Sequence, residues 1–128
     1  MADRVSRILV VDDDQYVLAS HRIMLSEYGF ESYVSASGVD ALNFISLLDD
    51  SALPDCIVTD YEMPLMNGLE FVKHIRENAR CRHIPIIMLS GAMKEEFAKE
   101  VLAMGVTHAM HKILTPRLPS EIKRILKI

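Results

Sequence analysis

This sequence predicts a parallel α/β sandwich, on three observations. Five strand-like apolar runs alternate strictly with five helix-like amphipathic segments. Runs such as Ile8-Leu9-Val10-Val11 are continuously apolar, the pattern of strands buried on both faces. Polar residues collect at the C-terminal ends of the runs, the edge where open α/β sheets hold their sites. Strict alternation gives a parallel sheet with helices on both faces and right-handed crossovers.

The first strand, Ile8 to Val11, ends abruptly in Asp12-Asp13-Asp14. The helix after it carries Val17, His21, Met24, Leu25 and Tyr28 on one stripe, and Gly29 ends it as a C-cap. Phe30 to Val34 reads as the second strand. Ser37 to Asp40 then resembles a capping box with Asp in the Glu position. Ala41, Leu42, Ile45 and Leu48 form the buried face of the second helix, which Asp49-Asp50-Ser51 and Pro54 end. Cys56 to Thr59 is the third strand, closing on Asp60. Pro64 and Asn67-Gly68 mark a loop before the third helix, whose face is Leu69, Val72 and Ile75. Ile84 to Leu89 is the fourth strand, with Pro85 tolerable only near its start, and it closes on Ser90-Gly91. Phe97, Ala98, Val101, Leu102 and Met104 line the fourth helix until Gly105. Val106 to Lys112 is the fifth strand, interrupted by His108 and His111. Thr115 as N-cap and Pro116 at the first position open the last helix, with Leu118, Ile122, Ile125 and Leu126 as its stripe. Pro119 makes its first turns irregular.

The 128 residues fit one domain, 1–128, with half of them apolar and a quarter charged. A net charge of −4 argues against nucleic acid as a partner of this domain. Cys56 and Cys81 are too few for a disulfide framework or a zinc site and read as reduced thiols. Met1-Ala2-Asp3-Arg4 lacks an apolar signal core, and no run approaches the length of a membrane span. The expected location is therefore cytoplasmic, away from the membrane. Ile128 closes the chain without effector sequence, so a stand-alone protein and a piece of a longer regulator both stay open.

Asp12, Asp13, Asp60, Ser90 and Lys112 all fall at or just after strand ends. In a parallel sheet those ends share one edge, so residues far apart in sequence meet in one pocket. Three carboxylates together call for a cation, and oxygen-only ligands suit Mg²⁺. A carboxylate is also a nucleophile toward phosphorus, and phosphoryl transfer needs mainly positioning and charge neutralisation. Lys112 supplies positive charge and Ser90 a hydrogen bond. Singly, each residue has an ordinary role: Asp13 or Asp14 as a helix N-cap, Lys112 as a solvated lysine. Their joint placement at four strand ends favours a shared site.

These motifs carry a resemblance that covers essentially the whole chain. Ile8-Leu9-Val10-Val11-Asp12-Asp13, Thr59-Asp60-Tyr61-Glu62-Met63-Pro64 with Asn67-Gly68, Leu89-Ser90-Gly91-Ala92, and Lys112 resemble a response-regulator receiver domain of two-component signalling. The resemblance implies a flavodoxin-like (βα)5 three-layer sandwich of strand order 2-1-3-4-5. It implies that Asp60 accepts a phosphoryl group from a histidine kinase or histidine phosphotransfer protein. Asp12, Asp13, Asp60 and the Glu62 backbone carbonyl would hold Mg²⁺, and Ser90 and Lys112 would contact the phosphoryl group. The result would be a switch rather than an enzyme. The fourth helix, fifth strand and fifth helix would change for an effector protein or a covalently attached output domain.

Three positions depart from the family pattern. Ile113 follows Lys112 where the family has a cis-proline, so this peptide is either trans and rearranged or cis and strained. Ala109 stands where the family has its switch aromatic. His108, facing the other way on the strand, points to solvent or a partner. Glu62 puts an extra carboxylate two residues past the acceptor, near the phosphoryl site. Two other functions carry weight. One is a receiver-like docking module that works without phosphorylation. The other is a haloacid-dehalogenase-like phosphatase using Asp12 as nucleophile, although Tyr16 stands where that motif needs Thr or Val.

Overall fold

Each central strand turns alternate side chains to opposite faces, so one sheet builds two cores. The computed structural model describes residues 4–128. It contains β1 (Arg7–Val11), α1 (Gln15–Glu27), β2 (Glu31–Ser35), α2 (Gly38–Ser46) and β3 (Cys56–Asp60). These are followed by α3 (Gly68–Glu77), β4 (Ile86–Ser90), α4 (Glu95–Ala103), β5 (His108–His111) and α5 (Leu118–Leu126). All strand pairs are parallel, in the order β2-β1-β3-β4-β5. This is the flavodoxin-like arrangement the resemblance implies. Leu9, Ile57 and Met88 pack with Ala41, Phe71 and Val101 from α2, α3 and α4. Their neighbours Val10, Val58 and Leu89 pack on the other face with Leu18 and Leu25 of α1 and Leu118 and Ile122 of α5.

Met1 to Asp3, the start of the stretch read as lacking a signal core, lie outside the described residues. Among the described residues no helix is long and apolar enough to cross a membrane.

Helix ends follow their local chemistry. Gly29 and Gly105 take φ values of 87° and 111° just past α1 and α4, which a side chain would oppose. Asn67 and Glu70 form a reciprocal capping box at α3, so both ends of that N-x-x-E pattern satisfy backbone donors.

Four elements differ from the sequence reading. α2 ends at Ser46 with Leu47 as its C-cap, so Leu48, read as part of its buried face, lies beyond the helix. The inward stripe of α1 is Leu18, His21 and Leu25, spaced three and four apart, while Tyr28 is the half-exposed C-cap. On α4, Val101 is buried and Phe97 and Ala98 are partly buried, but Leu102 and Met104 face outward. Leu102 lies one step round the helix from the Phe97–Val101 stripe, and Met104 is already the C-cap. At the last helix, Thr115 and Pro116 belong to a 3₁₀ segment, Lys112–Arg117, and α5 begins only at Leu118. Pro119 lacks an N–H and fits only a first turn, where that donor would be unpaired anyway. Thr115 therefore caps nothing; its hydroxyl donates to the Lys112 carbonyl.

Candidate functional site

β1 and β3 are paired in register, Val11 beside Thr59, so the chain leaves both strands at the same edge. Asp12 follows β1 directly and Asp60 is the last residue of β3. Asp14 is the N-cap of α1, accepting from the Tyr16 and Val17 amides, which leaves Asp12 and Asp13 outside the cap. One carboxylate oxygen from each of Asp12, Asp13 and Asp60 lies within 4.8 Å of the others. Asp12 and Asp60 are buried and Asp13 is exposed.

Burial pushes the Asp60 carboxyl up to about 6, and the negative charges of Asp12 and Glu62 add to the effect while Lys112 opposes it. Asp12 is also raised, chiefly by burial, against the stabilising Asp14 amide that donates to its Oδ1 at 2.9 Å. Lys112 reaches across from the end of β5 and sets its Nζ 3.0 Å from Asp60 Oδ1. Partial burial pulls that ammonium down, but Asp60 beside it wins, and Lys112 stays above the usual lysine range. The Lys112–Ile113 peptide is trans, and the lysine reaches Asp60 from that conformation. Apart from this ion pair, Asp60 Oδ1 is shielded and finds no hydrogen bond of good geometry. Three acids facing one ammonium leave a surplus of negative charge, and the oxygen-only donor set fits Mg²⁺.

Ser90 ends β4 at the same edge, but its hydroxyl is turned to Glu62 rather than Asp60. Ser90 Oγ donates to Glu62 Oε1 at 3.1 Å, and the Gly91 N–H donates to the same oxygen at 3.0 Å. Asp12, Asp13, Asp60 and Lys112 thus come together as the strand ends suggest, with Ser90 beside them and engaged elsewhere. A cavity of about 380 Å³ opens next to the acids, lined in part by Asp12, Tyr16, His21 and Lys112.

Gly68 is a site residue that the sequence marks only as part of a turn. A Cβ there would meet the Asp60 carbonyl oxygen at 2.3 Å and Tyr61 Cα at 2.9 Å. These are backbone atoms at the end of β3 and just past it, and they cannot yield locally. Gly68→Ala is expected to cost roughly 1–3 kcal/mol in urea unfolding, the usual range for overpacking, and to shift the Asp60 and Tyr61 amide resonances.

On the β5 side of the site, Ala109 is partly buried against the core that includes Tyr61 and Phe97. Those two rings meet edge to face with centroids 4.8 Å apart, so an aromatic pair from β3–α3 and α4 fills this region. His108, expected to face solvent or a partner, is turned instead toward a helix of its own chain. It is half-buried against α5, with Nε2 3.5 Å from Glu121 Oε2, because it shares the strand face of Met110.

Comparison with known proteins agrees with this geometry. The family model described as "Response regulator receiver domain" matches residues 8–123. The chain is similar to chemotaxis protein CheY1 of Helicobacter pylori, 34% identical over 116 residues, covering 90% of this chain and 91% of that one. It is 28% identical over 122 residues to the phosphate regulon transcriptional regulatory protein PhoB of Escherichia coli, covering 94% of this chain and 52% of that protein. Among solved structures, chemotaxis protein CheY4 of Vibrio cholerae superposes with a TM-score of 0.85 at 30% identity, over 95% of this chain and 99% of that one.

Proposed function

The chain belongs to the response regulator receiver domain family of two-component signalling, and on that premise we propose that Asp60 is its phosphoacceptor. The observation that carries this reading is the position of Asp60: a buried strand-end carboxylate, paired with Lys112 and facing Asp12 and Asp13. The donor is a histidine kinase or histidine phosphotransfer protein. An Asp60 oxygen forms a bond to phosphorus as the bond from phosphorus to the donor's histidine nitrogen breaks. The electron pair leaves with that nitrogen, and the carboxylate becomes an acyl phosphate.

Each neighbour has a defined part. The Lys112 ammonium, 3.0 Å from Asp60, balances charge on the transferred group. Ser90 donates a hydrogen bond to a phosphoryl oxygen once its hydroxyl is free. Asp12, Asp13, Asp60 and the Glu62 backbone carbonyl would hold Mg²⁺, which when bound neutralises and orients the phosphoryl oxygens. The chain, taken as one domain over residues 1–128, then acts as a switch in the cytoplasm rather than as a turnover enzyme. Its output is the α4–β5–α5 surface, read by an effector protein or an attached output domain.

The test is intact-mass measurement after incubation with acetyl phosphate and Mg²⁺. The wild-type chain is expected to gain one phosphoryl group, and Asp60→Asn none. Equal gain in the two proteins, or no gain in either, contradicts the assignment. A chelator added beforehand is expected to suppress the gain.

A further inference from the structure

Two donors at the C-terminal end of β4 converge on one carboxylate oxygen. The Ser90 hydroxyl and the Gly91 N–H both donate to Glu62 Oε1, at 3.1 and 3.0 Å. The hydroxyl is fixed from its other side, because Ser90 Oγ accepts the Ala92 N–H at 3.1 Å. A hydroxyl has one proton to give, so while it serves Glu62 it serves no other acceptor. Ser90 is itself 1% exposed, whereas Glu62 is exposed and can withdraw to water with little desolvation. A cavity of about 250 Å³ lies along the contact, lined by Tyr61, Glu62, Ser90, Ala92 and Phe97.

An N–H and an O–H aimed at a single anionic oxygen make a small anion site, and such charge-assisted bonds are the stronger kind. Glu62 follows Asp60 by two residues, and Ser90 follows Leu89, the register partner of Asp60 on the neighbouring strand. The anion site therefore borders the acceptor. A phosphoryl group, carrying up to about two negative charges, competes for the same donors with more charge than a carboxylate has.

We infer that Glu62 is a positioning residue that holds the resting state: its carboxylate occupies the anion site formed by the Ser90 hydroxyl and the Gly91 amide, and phosphoryl capture at Asp60 requires its release. This rests on the phosphoacceptor reading above. The exchange of one anion for another is made by Ser90, at the end of β4, with Gly91 and Ala92, which open the loop that leads into α4 at Glu95. Glu62 thereby sets where that loop waits before the signal arrives.

The experiment pairs a rate with a local probe. Phosphoryl uptake from acetyl phosphate with Mg²⁺ is followed by intact mass in wild type, Glu62→Gln and Glu62→Ala. Amide hydrogen exchange at Gly91 is read by NMR in the same proteins. Loss of a charge-assisted contact worth about a factor of ten should speed uptake by roughly 3- to 10-fold in both variants. Gly91 exchange should accelerate in Glu62→Ala while strand amides keep their protection. A general relief of negative charge would speed uptake without exposing the Gly91 amide, so unchanged Gly91 exchange overturns the inference. Unchanged or slower uptake in both variants overturns it as well. If the wild type takes up phosphoryl normally in those cases, only the Glu62 role falls; if the wild type takes up none, the phosphoacceptor reading falls with it.

Discussion

Replacing Asp60 by Asn will make the metal-free protein more stable, by about 1–3 kcal/mol at about pH 7.5, while removing its capacity to take up phosphoryl. The gain follows from the cost of burying an ionised Asp60 beside Asp12. Folding raises the Asp60 carboxyl from an ordinary value of 3.8 to about 6. A raised acid binds more protons folded than unfolded, so the wild type loses stability as pH rises between those two values and stays lower above them. A rise of that size corresponds to roughly 3 kcal/mol at most, and loss of the Lys112 partner trims this. Lys112 is 42% exposed, so water takes over from the missing carboxylate. Urea unfolding in chelator should show the difference near neutral pH and show it shrinking toward about pH 4. Saturating Mg²⁺ should reverse the ranking, because a cation that binds the folded wild type stabilises it by mass action.

The second large effect is on the metal. Asp12→Asn is expected to weaken Mg²⁺ binding by about 10- to 100-fold, since it removes a buried anionic oxygen from a set of three. In the wild type, affinity should also fall by about tenfold for each pH unit below about 6. There Asp60 holds a proton that must leave before its oxygen can ligate, and the proton and the cation compete for the same atom. Calorimetric titration across that range measures both effects. A flat pH dependence would mean that Asp60 contributes no ligand.

Most of the fold is legible in the residues because burial imposes a period. The apolar runs give all five strands to within about two residues. The site is legible for the same reason: a parallel sheet collects its strand ends, so the order of the strands alone brings Asp12, Asp13, Asp60 and Lys112 together. What escapes is set by side-chain geometry. Whether Ser90 turns to Asp60 or to Glu62 depends on which carboxylate comes within about 3 Å of its hydroxyl, here Glu62, which no spacing rule encodes. The start of α5 escapes because Thr115-Pro116 is a good helix start in isolation, and Pro119 three residues later moves it to Leu118. His108 escapes because its strand lies against α5, where Glu121 waits. Gly68 carries its meaning only in three dimensions, through the backbone it nearly touches. The Asn67–Glu70 capping box, by contrast, is present in the sequence as an N-x-x-E pattern and can be read there.

Where the phosphoryl group sits is the most direct test. The chain is incubated with acetyl phosphate and Mg²⁺, then reduced with borohydride, which converts an acyl phosphate to an alcohol, and its peptides are sequenced by tandem mass spectrometry. The expected result is conversion at Asp60 alone, with Asp12 and Asp13 unchanged. Conversion at Asp12 or Asp13, or at no acidic residue of a protein that has gained phosphoryl mass, would contradict Asp60 as the acceptor.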